Sequence, residues 1–211
     1  MRFPRLSEPR GAATARFPCD HATKVRAPLF NGVIEQIAES RRSLILDMGP
    51  VRPQLLSLLQ GCRCRVLVAD LAEEFAGRTR DRARSPVRDI MRVVRNLCQH
   101  DAVDIVLTWD CLNYLERTEL ASFMDELSTV CRPGALVHAF VIYAEQFMPQ
   151  SPGQLDPVDA GHFRVTENCE AVRVAPRYTP EDLRRCAPAY NFDRMRLLSN
   201  GMQEYLLRLR E

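Results

Sequence analysis

The sequence predicts an α/β domain with a mostly parallel twisted sheet, helices on both faces and a C-terminal antiparallel hairpin. Two observations support this fold class. Short apolar runs that end in an acid alternate with helical segments along most of the chain, which is typical of a parallel sheet covered by helices. An Asn-Gly pair also separates the last two apolar runs, and such a pair is a strong signal for a hairpin turn.

Length and composition are those of one ordinary domain. The 211 residues suffice for a sizeable core, and the hydrophobic fraction of 46% with a charged fraction of 27% is typical of globular proteins. No apolar run approaches the roughly 18 residues of a spanning helix, and no secretory pattern is visible near the N-terminus. We therefore expect no membrane association and a cytoplasmic location. The eight cysteines are scattered without metal-ligand spacing, so we expect no metal.

Residues 1–28 are predicted to form a flexible basic N-terminal arm, and residues 29–211 the folded domain. The arm contains four prolines and five arginines and shows no hydrophobic periodicity. A solvated tail is the favoured interpretation, and contact with RNA or another anion is the less favoured one.

The first half of the domain begins with a helix. Apolar residues recur at three- and four-residue steps from Leu29 to Ile37, which predicts an amphipathic helix. Residues 44–49 form a short apolar run with the length of a buried strand, and residues 65–70 form a second one. Between these two strands, the leucines of residues 55–59 predict a helix face. Both strands end at an acidic residue.

The middle of the chain continues the alternation. In residues 71–100, apolar spacing predicts a helix around residues 90–97, and any third strand would be short and near Val87. Residues 103–110 predict the next strand, which also ends in an acid. A helix over residues 116–130 and a strand over residues 135–143 follow.

The last third of the chain is less regular at first. Residues 144–176 contain four prolines and are predicted as loop with one weak strand at 171–175. Thr179 is followed by a proline and two acids, which is typical of a helix start. Residues 192–198 and 202–209 are the two strands of the terminal hairpin.

Four segments together resemble the class I S-adenosylmethionine-dependent methyltransferase family. Residues 44–49 (LILDMG) resemble its first motif, and residues 66–70 (VLVAD) its second strand, whose terminal acid binds the cofactor ribose. Residues 104–115 (DIVLTWDCLNYL) resemble its fourth strand, and residues 131–134 (CRPG) precede the fifth strand as in many members. The resemblance covers residues 29–211. It implies a Rossmann-like methyltransferase fold and S-adenosylmethionine as the cofactor.

The resemblance also implies a set of cofactor-binding residues, namely Asp47, Gly49, Asp70, Asp110 and Trp109. In open α/β sheets, ligands bind beyond the carboxyl ends of strands, where strand order switches. Carboxylates there can accept ribose hydroxyls or face a cationic sulfonium and ammonium. Each of these residues also has a purely structural interpretation: Asp70 caps its strand end, Asp110 caps the following helix, and Trp109 is a core residue.

The glycine loop after the first strand departs from the family pattern and is degenerate. Val51 and Pro53 stand where the family has glycines, and neither adopts a positive φ readily. Either the loop takes another path that still admits cofactor, or binding is lost and Arg52 fills the space by pairing with Asp47 or Asp70. The two functional hypotheses follow from this choice. One is a methyltransferase with an unidentified small-molecule or macromolecular acceptor, and the other is a catalytically inactive methyltransferase-like binding or scaffold protein.

The acceptor side is less defined. Asn113, Tyr114, His162 and Tyr178 are the candidate residues for lining an acceptor pocket. Methyl transfer needs mainly positioning, and a base only where the acceptor loses a proton, so no catalytic residue is assigned. The arginine-rich residues 78–95 lack neighbouring aromatic residues. We therefore interpret them as an exposed helical face, and a nucleic-acid partner is not favoured.

Overall fold

The computed structural model describes residues 22–72, 74, 86–99, 101–152, 154–166 and 172–211. Its strands are β1 (Thr23–Arg26), β2 (Ser43–Asp47), β3 (Cys64–Val68), β4 (Val103–Trp109), β5 (Cys131–Ile142), β6 (Phe147–Pro149), β7 (Gln154–Asp159), β8 (His162–Thr166), β9 (Val172–Val174), β10 (Tyr190–Leu197) and β11 (Met202–Leu209). Its helices are α1 (Pro28–Glu39), α2 (Pro53–Leu58), α3 (Pro86–Cys98), α4 (Arg117–Ser128) and α5 (Pro180–Cys186), and a 3-10 helix spans Cys111–Tyr114. Among the described helices, none is long and apolar enough to cross a bilayer.

The main sheet has six strands in the order β10-β11-β5-β4-β2-β3. Strands β2 to β5 pair in parallel, whereas β11 runs antiparallel to β5 and β10 antiparallel to β11. The chain leaves β2 towards β3 on one side and returns to β4 on the other, so the order switches at β2. The predicted parallel sheet and terminal hairpin are confirmed.

The two faces of this sheet carry separate apolar cores. Alternate side chains of β2 point to opposite faces, as in any strand. Ile45 joins a cluster with α1 and α2, while Leu44 and Leu46 join a cluster with α3, α4 and α5. Full burial of one such side chain stabilises the fold by about 1.5–3 kcal/mol. The helices therefore cover both faces, as the sequence predicts.

A small three-stranded sheet, in the order β1-β8-β7, lies on the α1 face. Strand β1 pairs antiparallel with β8, with Thr23 opposite Val165, and Val25 is buried. Residues 22–28 belong to the segment predicted as a flexible arm, and the structure places them in β1 and the start of α1. Their backbone is held by a distant strand, which local periodicity does not reveal. Residues 1–21 of that arm lie outside the described residues.

The segment predicted as loop, residues 144–176, contains four strands. The weak strand expected at 171–175 corresponds to β9, which pairs with β6 in a two-stranded sheet. Strand β7 includes Pro157 and lies at the edge of the small sheet. A proline at an edge removes no ladder hydrogen bond, so a proline count alone misleads here.

The region after β3 also differs from the prediction. Val87, near which a short third strand was considered, lies in α3 together with Asp89. The apolar spacing predicted for that helix is confirmed. Residues 73, 75–85 and 100 lie outside the described residues, and they include residues 78–85 of the arginine-rich stretch.

The N-terminus of α1 is anchored by a buried acid of β11. Glu204 is 0% exposed, and its carboxylate accepts the backbone N–H groups of Leu29 at 3.0 Å and Phe30 at 2.8 Å. Its Oε1 also lies 2.9 Å from Nε2 of His138. Ala27, the residue that precedes the helix, provides no side-chain cap, so Glu204 satisfies N–H groups that the helix itself leaves unpaired.

Candidate functional site

The candidate site lies at the carboxyl ends of β2, β3 and β4. Asp47 is the last residue of β2, and its register partners are Val68 of β3 and Leu107 of β4. The backbone continues this pairing for one more step, since Ala69 N donates to Asp47 O at 2.8 Å and Met48 N to Leu107 O at 3.0 Å. The three strand ends, with the acids that follow them, therefore meet at one edge of the sheet.

Asp47 is a buried acid in which one carboxylate oxygen accepts hydrogen bonds and the other accepts none from the described residues. The residue is 1% exposed, and its Oδ1 accepts hydrogen bonds from Gly49 N at 2.9 Å and from Nε1 of Trp109. Its Oδ2 has no hydrogen-bond partner among the described residues. Burial raises the pKa of this carboxyl, and the hydrogen bonds from Trp109 and Gly49, with the charge of Arg52, oppose the rise.

Arg52 fills the space beside this carboxylate. The side chain is buried, and Nε donates to the carbonyl of Leu155 at 2.8 Å while Nη1 donates to the carbonyl of Pro50 at 3.1 Å. Nη1 lies 3.8 Å from Oδ1 of Asp47, and Nε lies 3.7 Å from Oδ1 of Asp156. Of the two pairings considered for Arg52, the structure has the one with Asp47.

The guanidinium also lies against the backbone of Gly49. A Cβ atom added at Gly49 would come within 2.1 Å of Nη1 and 2.8 Å of Cζ of Arg52. Real Cβ atoms do not approach other heavy atoms so closely, so the residue at this position has to be glycine while Arg52 keeps its place. The close approach that a ligand would make to this glycine is made by a side chain of the protein.

Trp109 closes the site on the side of β4. Its ring lies under Cζ of Arg52 at 4.3 Å from the centroid, and the rings of Phe30 and Phe163 lie at 6.0 and 5.6 Å. The backbone of Trp109 has a φ of 53°, which is rare for a bulky residue and costs about 1–3 kcal/mol. In this conformation the indole N–H reaches Asp47. The contacts of the ring with Arg52 and the two phenylalanines offset the energetic cost of the positive φ.

Asp70 and Asp110 occupy different environments at the same edge. Asp70 is exposed, has a φ of 44° and contributes to raising the pKa of Asp47, so the two carboxylates interact. Asp110 is buried and precedes the 3-10 helix, but its side chain makes no cap hydrogen bond with that helix. The capping alternative for Asp110 is therefore absent from this structure.

Asn113, a predicted acceptor-side residue, bridges β4 and β5. Its Oδ1 accepts the N–H of Ile142 at 2.8 Å, and its Nδ2 donates to the carbonyls of Asp110 at 2.8 Å and Phe140 at 3.0 Å. The side chain is buried and three of its hydrogen bonds are made to backbone. In this arrangement Asn113 holds the exit of β4 against β5.

The other predicted acceptor-side residues also contact protein groups. The Tyr114 hydroxyl donates to the carbonyl of Ser151, and burial raises the pKa of Tyr114. The Tyr178 hydroxyl donates to the carbonyl of Leu115. His162 lies on β8, part of the small sheet, with Nδ1 2.8 Å from Oδ1 of Asp159. That hydrogen bond lowers the pKa of Asp159.

Sequence reasoning missed the contribution of the small sheet to the site. Leu155 of β7 accepts the Arg52 Nε–H, and Phe163 of β8 packs on Trp109. The signal was present, because Phe163 and Val165 alternate with polar residues as in a half-buried strand. The strand was not predicted because this apolar alternation is short and lies between segments that contain prolines and glycines.

Solved structures similar to this chain include S-adenosylmethionine-dependent methyltransferases. One is the 1,6-didemethyltoxoflavin-N1-methyltransferase of Burkholderia thailandensis, solved with 1,6-didemethyltoxoflavin and S-adenosylhomocysteine; it is 16% identical, with 87% of this chain and 77% of that chain covered and a TM-score of 0.50. Another is an S-adenosylmethionine-dependent methyltransferase of Clostridium acetobutylicum, 12% identical, with 86% and 91% covered and a TM-score of 0.51. No protein-family model and no curated protein sequence matches the chain. At such identities the likeness establishes the fold alone.

Proposed function

We propose, from the premise that this chain has the Rossmann-like fold of class I methyltransferases, that it is a catalytically inactive methyltransferase-like binding or scaffold protein. One observation carries the proposal. The guanidinium of Arg52 lies against Gly49 and beside Asp47, where the fold family brings its cofactor close to the glycine loop. In this protein an internal cation takes that place.

S-adenosylmethionine does not fit beside Gly49 while Arg52 keeps this position. The cofactor carries a cationic sulfonium and an ammonium group, and the guanidinium already fills the space at the loop. Two unit positive charges about 4 Å apart repel by about 4 kcal/mol at the effective dielectric constant of a protein surface. The cationic neighbour of Asp47 at this place is already the Arg52 guanidinium, whose Nη1 lies 3.8 Å from Oδ1.

Displacement of Arg52 by a ligand would be costly. Arg52 would lose its hydrogen bonds to the carbonyls of Leu155 and Pro50. Two hydrogen bonds from a charged donor are together worth about 3–6 kcal/mol. Since each 1.4 kcal/mol is a factor of ten, this penalty would weaken binding by a factor of roughly 10²–10⁴.

A second candidate function is S-adenosylmethionine-dependent methyl transfer, which the exposed Asp70 favours. Asp70 follows the end of β3 by two residues and has a positive φ, and it is exposed at the position where the family binds the cofactor ribose. Under this candidate, Asp47, Gly49, Asp70, Asp110 and Trp109 bind S-adenosylmethionine after Arg52 leaves. The acceptor is unidentified.

Asn113, Tyr114, His162 and Tyr178 are proposed, under the second candidate only, to line the acceptor side. Three of them are buried and bonded to backbone, and His162 is partly exposed on the small sheet. A methyl acceptor would therefore have to approach past β8 rather than past the tyrosines.

Titration calorimetry of the full chain with S-adenosylmethionine and S-adenosylhomocysteine separates the two candidates. We expect no saturable heat for either compound at concentrations up to about 1 mM. Micromolar binding that disappears in Asp70→Ala, and persists in the matched control Asp101→Ala at the opposite edge of the sheet, would overturn the argument that Arg52 excludes the cofactor and would favour the second candidate. Thermal melting of both variants verifies that each is folded.

A further inference from the structure

We infer that the Asp47 carboxylate, the Trp109 ring and the Leu155 carbonyl form a cation-binding subsite. Arg52 occupies this subsite as a tethered ligand, and the subsite accepts a free alkylguanidinium or amidinium ion when that side chain is absent. The inference goes beyond the proposed function, because it concerns the chemistry of the groups around the guanidinium. It holds whether or not the protein also binds a nucleoside.

The groups around the guanidinium are all suited to a planar cation. A guanidinium has N–H donors and no acceptor. The carbonyls of Leu155 and Pro50 accept from it at 2.8 and 3.1 Å, and the carboxylates of Asp47 and Asp156 lie within 4 Å. The face of an aromatic ring at 4.3 Å completes the surroundings and attracts a cation electrostatically. A neutral molecule of the same shape lacks the attraction to the carboxylates and the ring.

Asp47 provides an independent indication that this subsite can bind a further donor. Its Oδ2 is buried and has no hydrogen-bond partner among the described residues, and a buried acceptor left unpaired is unfavourable. The closest guanidinium nitrogen is 3.8 Å from Oδ1, beyond hydrogen-bonding distance. The Arg52 guanidinium is attached to the residue that precedes α2, and its Nε already donates to the Leu155 carbonyl. A free ion has no such attachment, so we expect it to donate to the unpaired oxygen.

The occupant of the subsite also connects two parts of the fold. Leu155 and Asp156 belong to β7 of the small sheet, whereas Asp47 and Pro50 belong to β2 and the loop after it. The guanidinium contacts all four. A cation in this place therefore holds the small sheet against the edge of the main sheet, and an empty subsite removes these polar contacts between the two sheets.

The test uses Arg52→Ala in the full chain and the fluorescence of Trp109, which is the only tryptophan of the sequence. The emission therefore reports on the subsite itself. Methylguanidinium chloride is titrated to about 50 mM, with sodium chloride at matched ionic strength and methylurea as the neutral isostere. We expect a saturable emission change in the variant with half-saturation at roughly 1–10 mM, and a rise in its melting temperature. The wild type and the exposed-arginine control Arg41→Ala should show neither.

Removal of the carboxylate charge should weaken this binding. In the double variant Arg52→Ala with Asp47→Asn, we expect half-saturation at a methylguanidinium concentration at least tenfold higher. Equal responses of wild type and Arg52→Ala, or equal effects of methylurea and methylguanidinium, would overturn the inference. If Arg52→Ala does not fold, Arg52→Gln replaces it. If neither folds, the titration follows refolding by circular dichroism, and a failure of methylguanidinium to restore the signal refutes the subsite.

Discussion

Removal of the Glu204 carboxylate tests how α1 is held on the sheet. Glu204→Ala deletes the acceptor of the Leu29 and Phe30 N–H groups and the partner of His138 Nε2, all at 2.8–3.0 Å and all buried. Each buried donor left unpaired costs about 1–3 kcal/mol, and water that enters the space recovers part of that. We expect a loss of about 3–5 kcal/mol in the free energy of unfolding. That is a large share of the roughly 5–15 kcal/mol by which a domain is stable.

Urea denaturation followed by circular dichroism measures this loss. With a slope of about 2 kcal/mol per molar urea, the midpoint should fall by about 1.5–2.5 M. Glu204→Gln keeps one acceptor oxygen in the same place, so we expect a smaller loss of about 1–2 kcal/mol. Glu181→Ala, an exposed acid paired with Arg185 on α5, is the control and should change stability by less than about 0.5 kcal/mol.

A small effect would contradict this reasoning. If Glu204→Ala lowers stability by less than about 1 kcal/mol, or no more than Glu181→Ala does, then the carboxylate does not anchor α1. The stability of the helix on the sheet would then come from apolar contacts such as those of Phe30, and not from its N-terminal hydrogen bonds.

Three further changes address the candidate site and the last helix. Gly49→Ala should lower the free energy of unfolding by about 1–3 kcal/mol, because its Cβ would meet Nη1 of Arg52 at 2.1 Å. This loss should vanish in an Arg52→Ala background. If a double-mutant cycle measured by urea denaturation gives additive losses, the contact is contradicted. Burial raises the folded-state pKa of Asp47 above its unfolded value of about 3.9, so its contribution to stability is present below pH 4 and is lost as pH rises through the folded pKa. Asp47→Asn should therefore gain stability relative to the wild type between pH 4 and pH 7, and a relative loss over that range in urea midpoints would mean that attraction to Arg52 outweighs burial. Thr179→Ala should cost about 1 kcal/mol, since the Thr179 side chain accepts the N–H of Asp182 at the start of α5; an unchanged melting temperature would argue against this cap.

The sequence predicts the main sheet because each strand carries its own signal. The apolar runs of β2 to β5 need no partner to be recognised, and Asn200 with Gly201, at φ 79°, fixes the turn between β10 and β11. The helix start at Thr179 is confirmed by a reciprocal capping box with Asp182. These features depend on residues close together in the chain, so local patterns suffice.

The features that the sequence does not reveal depend on distant partners. The tetrapeptide Thr23–Arg26, in which only Val25 is apolar, becomes a strand because it pairs with β8. At the site, the general position of strand ends predicts that Asp47 and Asp70 lie at one edge of the sheet. The position of Arg52 beside the Leu155 carbonyl depends on the small sheet and is not predicted. Glu204 left a readable signal, since a charged residue at an inward position of an apolar strand needs a buried partner.

The attachment of α1 to late parts of the chain has a consequence during translation. The helix is held by β8 and by Glu204, which lies 175 residues after Leu29. At about 5–20 residues per second, a ribosome takes roughly 10–35 s to make that stretch. During this interval the apolar stripe of α1, which includes Phe30, can pack on β2, β4 and β5, which are made before β11, but the N–H groups of Leu29 and Phe30 lack the Glu204 carboxylate. The hydrogen bonds that anchor the N-terminus of α1 therefore form only after β11 has been made, whereas the apolar face of the helix can pack on the sheet earlier.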